Sequence, residues 1–400
     1  MLRHLRAHSR LLLNRSVRHT SYCFDARPLE LSAVGQPSRV LFGAEVAATQ
    51  LGALSRASGM RKVLLVRDRD AAATSRARFM EFLLLQAGVP SFQYTLERDC
   101  ASLNGVDHAA AMAQRVGADS VVAFGGGNTM DMARAVAVIM ANGGRAADFV
   151  AAATEESEQE ELMLQQRKLE TAPLLLVPTI AGSGAEVATS TMLLEEDSEM
   201  KVLFAAGRAI VPEGLEVLAG ALGAPIEQGN LDVTDIALRE QLALGSLYSG
   251  IATNSSGTGA AQALAVSTGG ISDLPHAQVV TAFLPFVFDR YAELVDENEG
   301  DPFFDELQKK LENATDRLTA ASGSQGIDVA AWLRYVITRF DLPTASTLEL
   351  EESLLDGLTD RATQYQGESM EVSHSDGSEA IMEKDDLRAI IDRAMLVVEP

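Results

Sequence analysis

The sequence predicts an α/β domain built on a parallel sheet and followed by a mostly helical domain, and three observations carry that expectation. Short leucine- or valine-rich runs alternate with longer helical stretches as far as Ala205, the pattern of strands joined by crossover helices. Beyond that point β-branched runs thin out, and apolar residues recur at helical spacing. The chain has 400 residues, 47% of them apolar and 22% charged, so it can bury a large core and divide into two domains, 25–205 and 206–400.

Within the first domain the strands expected are 61–66, 120–124 and 174–177, the last a buried run stopped by Pro178. The acidic stretch between Ala151 and Thr171 reads as a solvated surface insertion and is assigned no function. In the second domain, 231–252, 276–295, 303–321, 329–340 and 384–396 carry helical periodicity. Residues 366–379, rich in Ser, Gly, Glu and Asp, read as an exposed loop before the last helix.

Charge and composition narrow the partners. A net charge of -23 disfavours nucleic acid, which needs a basic face, and no apolar run reaches the length of a membrane span. A small-molecule ligand fits better. The first 24 residues are different: Arg3, Arg6, Arg10, Arg15 and Arg18 alternate with Ser9, Ser16 and Ser21, and no acid precedes Asp25. With Leu2, Leu5, Leu12 and Leu13 able to form an apolar helix face, 1–24 reads as a transit peptide directing the chain to the mitochondrial matrix. Cys23 lies inside that segment and leaves only Cys100, so disulfides have no part in the remainder.

Three segments carry chemistry. In the run VVAFGGGNTMD at 121–131, a buried strand enters three glycines and then a helix. Without side chains at Gly125, Gly126 and Gly127, backbone N–H groups and the helix N-terminus can approach a diphosphate closely. Asn128 and Thr129 add side-chain donors, and Asp131, read as lying in the first turn, can cap the helix or accept a hydrogen bond from a ribose or nicotinamide group. A tight structural turn is the competing explanation. The second run, LLLVPTIAGSGAEV at 174–187, again ends a strand in a small-residue loop with Thr179 and Ser183 hydroxyls near the strand's carboxyl end, where ligands of open parallel sheets bind. In the third, VLLVRD at 63–68, Asp68 ends a strand where a carboxylate accepts adenosine ribose hydroxyls and favours NAD, whereas Arg67 and Arg69 beside it can reverse that preference toward NADP. Asp68 can equally begin a turn.

Together these segments resemble the iron-dependent alcohol dehydrogenase superfamily, whose members show GGGS-x-x-D-x-A-K-A and then P-T-T-x-G-T-G-S-E ahead of a metal-holding helical domain. The resemblance runs from about Val40 to the C-terminus, and GGGNTMD with the segment 201–212 is most similar to the hydroxyacid-oxoacid transhydrogenases among them. It implies a Rossmann-like dinucleotide domain followed by an all-helical domain, the dehydroquinate synthase-like or iron alcohol dehydrogenase fold. It further implies NAD or NADP held by Asp68, Gly125, Gly126, Gly127, Asn128, Asp131, Thr179, Ile180, Ser183 and Lys201, and it suggests a homodimer. Arg134 stands where Lys is usual, and Ile180 and Ala185 replace Thr and Ser.

The implied metal site departs further from the family. Members hold a divalent ion, iron or zinc, with an Asp and a His spaced D-x-x-x-H on one helix and two later histidines. Here Asp232 can match the acid while Ile236 occupies the His position; His276 matches the last ligand, Gln262 replaces the one before it, and Val266 stands where a further active-site His is usual. The helices that follow the first pair in the family are missing, so the helical domain reads as shortened. Isoleucine offers no donor atom, and an amide is a poor substitute for imidazole. Three readings stay open on this evidence: an oxidoreductase transferring hydride at an alcohol or 2-hydroxyacid carbon, a nucleotide-binding relative without that activity, and a truncated gene model of an active enzyme.

Overall fold

A computed structural model describes residues 27–29, 40–43, 45–97, 100–150, 170–188, 191–196, 200–204, 235–256, 259–269, 274–323, 327–348, 350–373 and 382–396. The expected transit segment, the acidic insertion, Asp232 and residues 374–379 lie outside them.

A short antiparallel pair, β1 (Arg27–Leu29) and β2 (Val40–Phe42), precedes helix α1 (Val46–Ala57). The main sheet follows as β3 (Val63–Arg67), β4 (Ser91–Thr95), β5 (Ser120–Gly125) and β6 (Leu174–Pro178), all parallel, in the order β4-β3-β5-β6. Helices α2 (Ala71–Gln86), α3 (Leu103–Val116) and α4 (Gly127–Asn142) connect these strands. Val63, Leu65, Val122 and Phe124 pack against α1 and α2 on one face, while Leu64, Val66, Val121 and Ala123 pack against α3 and α4 on the other. This double burial explains why β3 and β5 read as continuous apolar runs rather than alternating ones.

Two expectations about strands need correction. β6, expected to be buried, is half-buried because it forms the sheet's outer strand in this order. An antiparallel hairpin, β7 (Thr191–Glu195) with β8 (Met200–Phe204), closes the first domain where no hairpin was expected.

The remainder is helical: α5 (Ile236–Ser256), α6 (Ala260–Thr268), α7 (His276–Glu297), α8 (Pro302–Ser322), α9 (Val329–Arg339), α10 (Leu355–Ser373) and α11 (Lys384–Leu396). Asp301 and Asp328 cap α8 and α9 by accepting the Phe303 and Ala331 N–H groups. A second core forms where α6, α7, α10 and α11 meet around Leu264, Phe283, Leu358, Leu387 and Ile390. The loop expected over 366–379 is therefore corrected as far as Ser373, because α10 continues through it. Gln, Glu and Met are good helix formers, and the single Gly367 costs only about 1 kcal/mol against Ala.

Asp119 ties the entry of β5 to that of β3. Its carboxylate accepts the backbone N–H groups of Arg61 and Lys62 at 3.1 Å each, the Ser120 hydroxyl at 2.9 Å and the Arg61 Nε at 2.9 Å. Burial alone would raise its pKa, but the Lys62 and Arg61 N–H groups, with Ser120 and the Arg61 side chain, hold it below the usual carboxylate range. A depressed carboxyl pKa contributes stability above the unfolded-state value, and this is lost as pH falls through the folded-state value. Asp119→Ala is therefore expected to destabilise the chain by about 1–3 kcal/mol at pH 7. Urea unfolding should show the gap from wild type shrinking as pH drops below about 4, and a gap independent of pH would contradict this account.

Candidate functional site at the carboxyl edge of the sheet

The strand order reverses between β3 and β5, since β4 lies beyond β3 on one side and β6 beyond β5 on the other. A crevice opens at such a switch point outside the carboxyl ends of the strands. Asp68 follows the last residue of β3, the glycines end β5, and Thr179 follows β6, with its N–H donating to the Gly125 carbonyl at 2.9 Å. The fold thus brings Asp68, Gly125, Gly126, Gly127, Asn128, Thr179, Ile180 and Ser183 to one edge.

Within that edge their roles differ from the simplest expectation. Asp68 is engaged by its own chain: its carboxylate accepts the Gly126 N–H at 3.0 Å and the Thr129 hydroxyl. Thr129 is fully buried, so it serves the turn rather than a ligand. Gly125 is required for the same reason, because a Cβ there would lie 2.6 Å from Asp68 Oδ1 and against Thr129. Gly126 and Gly127 answer better to the expected role. A Cβ on Gly126 would meet only Ile180 Cδ1, at 3.5 Å, and one on Gly127 would press on Ser183 at 3.0 Å. Bare backbone at the start of α4 lets a ligand approach the helix N-terminus closely, the arrangement that suits an anion.

Asp131 does not lie in the first turn, because α4 begins at Gly127 and its first turn contains no acid. The carboxylate is therefore too far along the helix to cap it, and it pairs with Arg134 at 3.2 Å. Arg134, in the position where the family has Lys, also donates to Thr191 Oγ1 at 3.3 Å and to the Ala185 carbonyl. It thereby fastens the second glycine-rich loop and the β7 strand to α4. Burial pulls its pKa down, and Asp131 and Glu186 pull the other way. Burial likewise raises the Glu186 pKa, opposed by a backbone hydrogen bond and by Arg134.

A contact that the sequence did not disclose holds the second loop from the helical side. The buried Ser246 hydroxyl of α5 accepts the Gly182 N–H at 2.7 Å and the Gly184 N–H at 3.2 Å. Gly184, at φ +61°, lies directly on Gly250 of the same helix, so that a Cβ on Gly184 would sit 2.6 Å from the Gly250 nitrogen. Small residues at 245, 246, 249 and 250 are the signal that could have revealed it, since they let a helix approach backbone closely. Arg67 and Arg69 also turn away from the nucleotide role suggested for them. Arg67 donates to Gln93 at 2.7 Å and to the Asp68 carbonyl at 2.8 Å, and Arg69 to the Glu97 carbonyl at 2.7 Å.

Of the residues implied for a metal, His276 at the start of α7 and Gln262 on α6 do meet, His276 Nε2 lying 3.0 Å from Gln262 Oε1. Ile236 begins α5 and is 57% exposed, with only alkyl atoms to offer. Among the described residues no group of three or more His, Cys, Asp or Glu could hold a metal ion. Of the implied donors that are described, Gln262 and His276 offer one amide and one imidazole where the family has two imidazoles. Lys201 lies in β8 of the hairpin, away from the parallel sheet.

A parallel sheet with a glycine turn at its switch point and a helical domain clasping the second loop defines a class of two-domain α/β proteins. Solved structures of that class superpose on this chain. They include the alcohol dehydrogenase from Oenococcus oeni (TM-score 0.68, 16% identity, 91% of this chain and 100% of that one) and a 1,3-propanediol oxidoreductase (TM-score 0.64, 18% identity, 88% and 97%). Residues 37–214 match the family described as iron-containing alcohol dehydrogenase, and 218–362 match its C-terminal counterpart. The chain belongs to the iron-containing alcohol dehydrogenase superfamily. Among curated relatives, the probable alcohol dehydrogenase EutG of Salmonella typhimurium is 30% identical over 225 residues, covering 45% of this chain and 54% of the relative. The choline dehydrogenase of Bacillus subtilis is 26% identical over 270 residues, covering 57% and 65%, and the NAD-dependent methanol dehydrogenase of Bacillus methanolicus is 22% identical over 306 residues, covering 63% and 77%. The matched region thus spans between half and two thirds of the first two relatives.

The division of labour among the glycines is testable by unfolding. Gly125→Ala should cost about 1–3 kcal/mol through overpacking against Asp68 and Thr129, whereas Gly126→Ala should cost under about 1 kcal/mol. Equal losses from the two substitutions would refute the packing assigned to Gly125.

Proposed function

We propose that this chain binds a nicotinamide dinucleotide at the carboxyl edge of its parallel sheet and acts as an oxidoreductase on an alcohol or 2-hydroxyacid. The observation that supports it is the convergence of Gly126, Gly127, Asn128, Thr179 and Ser183 at the switch point, with bare backbone at the N-terminus of α4. When bound, the nicotinamide supplies the hydride acceptor or donor. The α4 N-terminus receives the diphosphate, and Thr179 and Ser183 offer hydroxyls beside it. Arg134 keeps the second loop at a fixed distance from α4 through the Ala185 carbonyl. The similarity of the glycine motif to hydroxyacid-oxoacid transhydrogenases favours a 2-hydroxyacid, and the arginine-rich start of the sequence supports action in the mitochondrial matrix. A homodimer is part of the same proposal.

A second reading rests on Gln262 and Ile236. With an amide and an alkyl group where the family has imidazoles, the chain keeps the nucleotide site but not metal-assisted turnover. Elemental analysis for iron, zinc and manganese, paired with fluorescence titration of NADH and NADPH, separates the two. Stoichiometric metal with bound nucleotide supports the metal-assisted dehydrogenase, and nucleotide bound without metal supports the second reading. Failure of both nucleotides to bind at millimolar concentration overturns the proposal.

A further inference from the structure

A cavity of about 620 Å³ opens beside Thr179, lined by Ser75, Arg76 and Phe79 of α2, by Phe124 at the end of β5 and by Arg239 of α5. It lies on the α1 and α2 side of the sheet and shares Thr179 with the nucleotide edge, so it continues that edge rather than forming a separate site. Two features of its lining bear on what it can hold. Phe79 presents its ring to solvent, 46% exposed, although the neighbouring Ala77 and Met80 of the same helix are buried. The guanidinium groups of Arg76 and Arg239 are exposed, and neither makes a hydrogen bond or ion pair to another described residue. Several other arginines of this acidic chain are matched to carboxylates, as Arg61 is to Asp119, Arg145 to Asp107 and Arg334 to Asp289.

We propose that this cavity holds the adenosine end of the dinucleotide and that Arg76 and Arg239 recognise a 2′-phosphate, so that the chain prefers NADP(H) to NAD(H). The inference rests on the nucleotide reading above and assigns the specificity of that same site. A phosphate monoester carries between one and two negative charges at neutral pH and accepts from several donors, which two guanidinium groups and the Ser75 hydroxyl supply. The Phe79 ring offers an apolar face for a purine. Glu45, the single carboxylate in the lining, stands at the start of α1 with φ +57° and leaves the two arginines in excess. The residues that the sequence suggested for this task are otherwise occupied. Asp68 closes the glycine turn, and Arg67 and Arg69 donate to Gln93 and to backbone carbonyls.

The test is fluorescence titration of the full chain with NADPH and with NADH, for wild type and for Arg76→Ala combined with Arg239→Ala. Both side chains are exposed, and an unchanged thermal midpoint verifies that the fold survives the substitutions. Wild type is expected to bind NADPH at least about tenfold more tightly than NADH, the discrimination expected of charge-assisted hydrogen bonds. The double variant is expected to bring the ratio close to one, NADPH losing more affinity than NADH. Equal affinities in wild type, or a preference for NADPH that survives the double substitution, overturns the inference and leaves the nucleotide site intact. Binding of neither nucleotide overturns the nucleotide reading itself, a different failure.

Discussion

The carboxyl edge of the sheet depends on one carboxylate. Asp68 leaves β3, crosses to the neighbouring strand's turn and accepts both the Gly126 N–H and the Thr129 hydroxyl. Its negative charge sits at the N-terminus of α4, where the helix dipole favours it. From that contact the rest follows: Thr129 is buried, Gly125 must lack a side chain, and the start of α4 is fixed against the end of β3. A residue that sequence reasoning places in the ligand's first contacts is thus, in this fold, part of what shapes the crevice.

The two halves of the molecule have diverged unequally from the family pattern. On the sheet side the substitutions conserve a physical role, since Arg134 in place of Lys still delivers a buried cation to Asp131 and to the second loop. On the helical side they do not. Gln262 Oε1 and His276 Nε2 lie 3.0 Å apart, so an amide oxygen stands beside the imidazole where the family has a second imidazole.

Most of the sheet was legible because β3 and β5 are buried on both faces and therefore spelled as unbroken apolar runs ending in Asp68 and Gly125. The motif at 121–131 placed the turn correctly for a related reason, as few uses other than close backbone approach require three successive glycines. What the sequence hid was partnership at long range. Nothing local marks Thr129 as the partner of Asp68, or Ser246 as the acceptor for the second loop, since each pair is distant in the chain. Asp131 falls beyond the first turn because the helix already begins at Gly127, the last of the three glycines. In 366–373, polar composition masked a continuing helix, since polar residue types serve helices and loops alike.

The contact of Gly184 with Gly250 has a mechanical consequence. Two backbones touch there with no side chain between them, and the Ser246 hydroxyl holds the loop on either side of the contact. Closely packed interiors are nearly incompressible, so α5 cannot shift toward the sheet without displacing the loop that carries Thr179 and Ser183. The helical half therefore works as a stop that sets the width of the crevice, and any motion of α5 is felt at the ligand edge as a change in aperture.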